Sequence, residues 1–168
     1  MEKNLINLTD FCLTTPESVL ACNAVSQHFG LSLTPEEAAA VSAARQDSLL
    51  DSGRIEFTGG LTEKLIRTFC PSPFLYQENY ASTICDLLEI FHTFKNELND
   101  CIGDDDLLLL MYRAFNGPCH GQIPLLQQQD PRQLAGWIQE EPLHLDEDEW
   151  EEAAKRKREG EWLNGGSY

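Results

Sequence analysis

Six large side chains, Tyr80, Ile84, Leu87, Phe91, Phe94 and Leu98, recur at intervals of 4, 3, 4, 3 and 4 residues. An α-helix turns once in about 3.6 residues, so this spacing gathers all six into one stripe, whereas a strand would split them between two faces. The spacing predicts a helix from Glu78 to about Leu98, and a stripe this apolar has to be covered by other helices. A chain that contains it is committed to a helical core.

The remaining helices are marked by their ends. In "TTPESVLACNAVSQHFG", Thr15 is placed to cap, Pro16 to take the first helical position, Glu17 to face the positive end of the dipole and Gly30 to terminate. "TPEEAAAVSAARQDSLLDSG" repeats the device with Thr34, Pro35, Glu36 and Glu37 and stops at Gly53; its alanines predict a helix that a neighbour approaches closely. "TEKLIRTF" reads as a short helix burying Leu65, Ile66 and Phe69, closed by the prolines of "CPSP". "GDDDLLLLMYRAFNG" has Asp104 as a cap and leucines on every side, so its helix belongs at the centre of the core. "DPRQLAGWIQE" adds a last helix that would bury Leu134, Trp137 and Ile138. "RIEF" is the only strand-like piece and is too short to build a sheet. The expectation is an all-α, compact bundle of five or six helices over residues 1–141, with one short extended crossing at about 54–58 and a charged, largely flexible tail at 142–168.

Charge and cysteine spacing exclude several classes of function. With 28 acidic and 12 basic residues the formal net charge is −16, which opposes approach to nucleic acid or an anionic membrane. No segment approaches the ~18 apolar residues of a membrane span, and the first residues lack the apolar run of a signal peptide, so a cytoplasmic location is expected. The six cysteines contain no C-x-x-C pair and signal neither zinc nor a redox centre. Free thiols, no metal and no cofactor are expected. Another protein, with a basic one suiting the acidic body, is the expected partner; the sequence does not indicate an oligomeric state.

Four stretches invite a chemical reading. Glu89 and His92 form an E-x-x-H with Cys85 one turn earlier, as in carboxylate-bridged di-iron bundles, but at about 100° per residue they fall roughly 135° from the apolar stripe, which predicts a surface position for His92. Asp104, Asp105 and Asp106 lack the ligand alternation of a calcium loop. "DSGRIEFTGGL" is no phosphate loop, since Gly60 is followed by leucine, yet Gly59 and Gly60 could offer backbone amides to an anion with Arg54, Lys64 or Arg67 supplying charge. In that stretch alternation would turn Ile55 and Phe57 inward and leave Arg54 and Glu56 facing solvent; the competing reading buries Glu56 beside an arginine as a working carboxylate. In "FNGPCHGQ", Cys119 and His120 could form a thiolate–imidazolium pair, or simply a turn.

Taken in order, "GRIEFTGGLTEKLIRTFC", "SPF", "QENYASTICDLLEIFHTFKNE" and "CHG" resemble an uncharacterised family of small bacterial proteins, a domain of unknown function associated with anaerobic Gram-positive bacteria; the likeness covers roughly residues 34–138. The resemblance implies a bacterial, intracellular protein and carries over no activity, ligand or catalytic residue. Two functions stay open: a non-catalytic interaction or regulatory protein with an acidic surface, which is preferred, and a small enzyme or ligand-binding protein using the "RIEFTGG" and "PCHG" loops. They separate on whether Arg54, Glu56, Cys119 and His120 gather in one concave pocket.

Overall fold

A computed structural model describes residues 15–56 and 60–136, together with Glu151 and Lys155; among these, every regular element is helical. Phe57, Thr58, Gly59, Trp137, Ile138 and nearly all of the acidic tail lie outside the described residues.

The expected caps form as local chemistry dictates. α1 (Pro16–Ala21) starts at Thr15, whose side chain accepts from Ser18 N–H at 3.1 Å while the Ser18 hydroxyl accepts from Thr15 N–H at 3.0 Å. α2 (Asn23–Ser26) and a 3-10 turn (Gln27–Phe29) continue it to Gly30. α3 (Pro35–Ser52) has the same reciprocal box between Thr34 and Glu37, and ends at Gly53 with a left-handed φ of 69°. α4 (Leu61–Phe69) follows Gly60, α5 (Tyr80–Glu97) carries the apolar stripe, and α6 (Asp104–Asn116) begins one residue earlier than its aspartates suggest. Gly103 takes the N-cap position there and Asp104 the first helical one, so the aspartate serves the helix dipole rather than a cap bond. α7 (Ile123–Gln127), which the sequence did not single out, has proline in its first turn and buries Leu126; α8 (Pro131–Ala135) is capped by Asp130.

α3 and α5 make the most extensive helix–helix contact. Cys85 Sγ lies 3.9 Å from the Ala40 carbonyl, Ser48 Oγ 2.8 Å from His92 Nδ1, and Asn96 Nδ2 donates to the Ser52 carbonyl at 2.8 Å, with sequence separations of 45, 44 and 44. A constant separation, not a constant sum, means that the two helices run in the same direction. Ala38 and Val41 are fully buried, so the alanine-rich sequence does admit a close neighbour. All six stripe residues of α5 are buried, and so are Thr83, Leu88, Ile90, His92 and Lys95, because α3 covers a second side of the helix. On α6, Leu107, Leu108, Leu110, Met111 and Phe115 are buried, and Phe69 meets the rings of Tyr112 and Phe115 edge-on at 5.5 and 5.8 Å. No helix among the described residues is long and apolar enough to cross a membrane.

Candidate functional site

Beyond Gly53 the chain alternates as expected but in the opposite phase. Ile55 is 73% exposed, whereas the Glu56 side chain is only 8% exposed. The cause lies on α3: Arg45 is itself buried at 3%, and its Nε stands 3.2 Å from Glu56 Oε1. A lone buried guanidinium would be far costlier than an exposed isoleucine, so the ion pair decides which face of the crossing turns inward. Glu56 is therefore the buried, arginine-paired carboxylate of the competing expectation, with Arg45 as its partner in place of Arg54 or Arg67. Burial pushes the Glu56 carboxyl above its usual range; the Arg45 bond and charge and the nearby Leu61 amide oppose this. Oε1 takes the Arg45 bond, while Oε2 is closed off from water and has no hydrogen-bond partner.

The surface position expected for His92 is also overturned. The helical wheel gives its angle correctly, but α3 occupies that side, and His92 is 2% exposed in the seam. Ser48 donates its one proton to the Arg45 carbonyl at 3.0 Å, so its oxygen accepts from His92 Nδ1–H at 2.8 Å, beside the Leu88 carbonyl. That leaves His92 Nε2 as a bare acceptor. Burial first, then the charges of Arg54 and Arg45, hold the imidazole down at about 4 against opposing effects of Asp104 and the Leu88 carbonyl.

A histidine held neutral in the fold but free to charge when unfolded makes stability pH-dependent. Its contribution is complete above pH 6.5 and is lost as pH falls from 6.5 toward about 4. The expected slope approaches 1.4 kcal/mol per pH unit, about 3 kcal/mol in all. Glu56, shifted the opposite way, works against it, so the measurement is the difference between urea melts of the native chain and His92→Gln across this range. Parallel pH profiles for the two would refute the assignment.

These groups share a cavity of about 260 Å³ at the C-terminal ends of α3 and α5, where Glu56, His92 and Lys95 meet Leu49, Leu61 and Phe91. Arg54 and Lys95 also supply positive charge where two parallel helices present their carbonyl ends. Both cations are engaged. Arg54 donates to Asn96 Oδ1 at 2.8 Å and grips both Asp100 oxygens. Lys95 Nζ reaches Asp104 Oδ1 and the Ile102 carbonyl at 2.8 Å each, and Asp100 Oδ1 at 3.7 Å. Asp100 and the preceding Asn99 hold left-handed φ values of 59° and 52°, conformations that Asp and Asn tolerate better than other non-glycine residues.

Of the residues singled out from the sequence, Arg54 and Glu56 line the cavity and Gly60 directly precedes Leu61, whereas Gly59 lies outside the described residues. Cys119 and His120 do not line it. Cys119 is wholly buried, which pushes its thiol up rather than down, and His120 is exposed in a left-handed conformation with φ 50°. The "PCHG" loop closes α6: Cys119 N–H donates to the Ala114 carbonyl at 3.0 Å and Gly121 N–H to the Phe115 carbonyl at 2.7 Å. Arg45 and Lys95 escaped the sequence reading, and His92 entered it only as a surface residue. Their only signal was that a histidine and a lysine flank the stripe of a helix facing an alanine-rich one.

Among the described residues no group of three or more His, Cys, Asp or Glu side chains could hold a metal ion. Neither a curated protein nor a solved structure matches the chain. A match does exist at the level of family: residues 18–142, the α1–α8 body with the cavity inside it, fit a family of unknown function (DUF6323), and the chain belongs to that family.

Proposed function

We propose that the protein binds a small organic molecule in the cavity at the joined ends of α3 and α5. What carries this reading is one observation: Glu56, His92 and Lys95, each almost wholly buried, converge on one cavity of about 260 Å³. Burying ionisable groups costs several kcal/mol apiece, and apolar residues would serve the core better, so such a cluster in a concave site is a functional candidate. A cavity of about 150 Å³ holds benzene, so this one suits a ligand of roughly ten non-hydrogen atoms. A reducing bacterial cytoplasm fits the reading, since Cys22, Cys70, Cys85, Cys101 and Cys119 are all free thiols.

The test is a two-dimensional amide NMR titration of the labelled protein with anionic, neutral and cationic fragments of that size. Fragments that bind should shift the resonances of residues 54–56 and 91–104, and Leu61→Trp, which fills the cavity, should abolish the shifts. If no fragment of any charge perturbs those residues, the reading fails.

Docking of a basic protein is the second reading, favoured by the formal charge of −16. It predicts association that weakens with salt and leaves the cavity resonances unmoved.

A further inference from the structure

We infer that the ligand is an organic acid whose carboxylate takes the place of Asp100 between Arg54 and Lys95, with its apolar body against Leu49, Leu61 and Phe91. This rests on the cavity being a binding site and follows from how unequally the charged groups around it are held. The two cations are built in. Their side chains are 19% and 8% exposed; Asp104 and the Ile102 carbonyl each hold the Lys95 ammonium at 2.8 Å, and Asn96 Oδ1 holds the Arg54 guanidinium at 2.8 Å. The carbonyl ends of α3 and α5 favour positive charge at the same place. Asp100, which faces both cations, is the loosest member. Its side chain is 54% exposed, it stands on the turn after α5, and both it and Asn99 hold left-handed conformations. A carboxylate this exposed is readily rehydrated when it leaves an ion pair, and such pairs contribute little. The cations, held from behind, stay when it goes.

The hydrogen-bonding capacity agrees. Asp100 Oδ1 is 3.7 Å from Lys95 Nζ, too far for a hydrogen bond, so the third proton of the ammonium meets no acceptor among the described residues. Neither do the Nε–H of Arg54 and one hydrogen of its Nη2. A ligand carboxylate brings the charge and the lone pairs these donors call for; an alcohol brings no charge, and an ammonium only further donors. Glu56 does not oppose an acid, because its unpaired Oε2 is closed off from water and its charge is answered by Arg45 on the other oxygen. The cavity floor registers the same sign: at His92 the charges of Arg54 and of Arg45 each weigh against an imidazolium more than Asp104 weighs for it.

Three probes of nearly one shape isolate the charge: phenylacetate, 2-phenylethanol and phenethylammonium, each titrated at neutral pH into the full-length protein while the amides of residues 54–56 and 91–104 are followed. Phenylacetate should bind at least about tenfold more tightly than either of the others. Two variants should then move its affinity in opposite directions. Asp100→Asn, which removes the competitor, should tighten phenylacetate at least about threefold, while Asp106→Asn, the same change of charge outside the cavity, should not. Lys95→Gln, confirmed folded by its own spectrum, should weaken it at least about tenfold and leave the alcohol unchanged. If Lys95→Gln does not fold, the native comparison and Asp100→Asn decide. Equal or tighter binding of the alcohol or the ammonium at these residues would overturn the acid and leave the cavity reading standing. Phenylacetate that binds Asp100→Asn no better than the native chain, or Lys95→Gln equally well, would also overturn it. If none of the three shifts the cavity while other fragments do, the ligand class is wrong; if no fragment of any kind does, the class and the binding site fall together.

Discussion

Replacing Glu56 with alanine is expected to lower stability by about 3–5 kcal/mol, read as a shift of the urea midpoint at constant m-value. The loss comes less from the vanished attraction than from what it leaves behind. Arg45, 3% exposed on α3, would keep its charge in a site that no longer contains the carboxylate 3.2 Å away. Glu56→Gln keeps an oxygen for Arg45 Nε but removes the countercharge, so it should still exceed the ~1 kcal/mol ceiling of an exposed pair. Joint replacement, Arg45→Met with Glu56→Leu, removes both charges and should recover most of the loss, because a buried ion pair contributes little net stability over a well-packed apolar one. A Glu56→Ala protein within 1 kcal/mol of the native chain would show that the carboxylate is not buried in solution.

Gly121→Ala should cost about 3 kcal/mol, from overpacking and an unfavourable backbone conformation together. Gly121 holds φ at 73°, and a methyl group there would lie 2.3 Å from Phe74 Cγ and 2.4 Å from Phe74 Cβ. Because Cβ is fixed to the backbone, no rotation of the Phe74 side chain relieves the overlap; the loop or the 70–79 segment has to move. Phe74 packs edge-on against Phe115, so the displacement would spread into the α4–α6 core. Gly136→Ala, where a methyl meets nothing within 4 Å, is the control and should change the melt little. Equal melts for the two variants would refute the close approach. The same geometry accounts for "CHG" in the sequence: its glycine is fixed by a neighbouring ring, and its cysteine is buried in the core, which pushes the thiol up.

What the sequence could disclose follows the range of the interactions. The threonine caps and the left-handed Gly53 depend on side chains within four residues of the backbone they serve, and they formed where expected. The α5 stripe was legible because a long apolar period admits no other explanation. The cavity was not. A helical wheel reports the direction in which His92 points but not that α3 stands there, and its Ser48 partner is 44 residues away. Likewise a two-phase alternation at 54–56 can face either way, and what decided it was an arginine on another element. Arg54 and Glu56 were reached through the odd composition of their loop, Arg45 and Lys95 not at all, since nothing local distinguishes a buried charged residue from a solvated one on a helix.

The parallel course of α3 and α5 has a consequence for how the chain comes together. In an up-and-down bundle neighbouring helices meet across a short turn, and their contacts form early and locally. Here the principal seam joins residues 44 or 45 positions apart, and the Arg54 contacts on the same side span 42 and 46. Closing a loop of about 45 residues costs roughly 3 kcal/mol of chain entropy before the first of these contacts is gained. Closing this seam is accordingly a non-local step in the folding barrier, and the chain is expected to fold more slowly than an up-and-down bundle of its length.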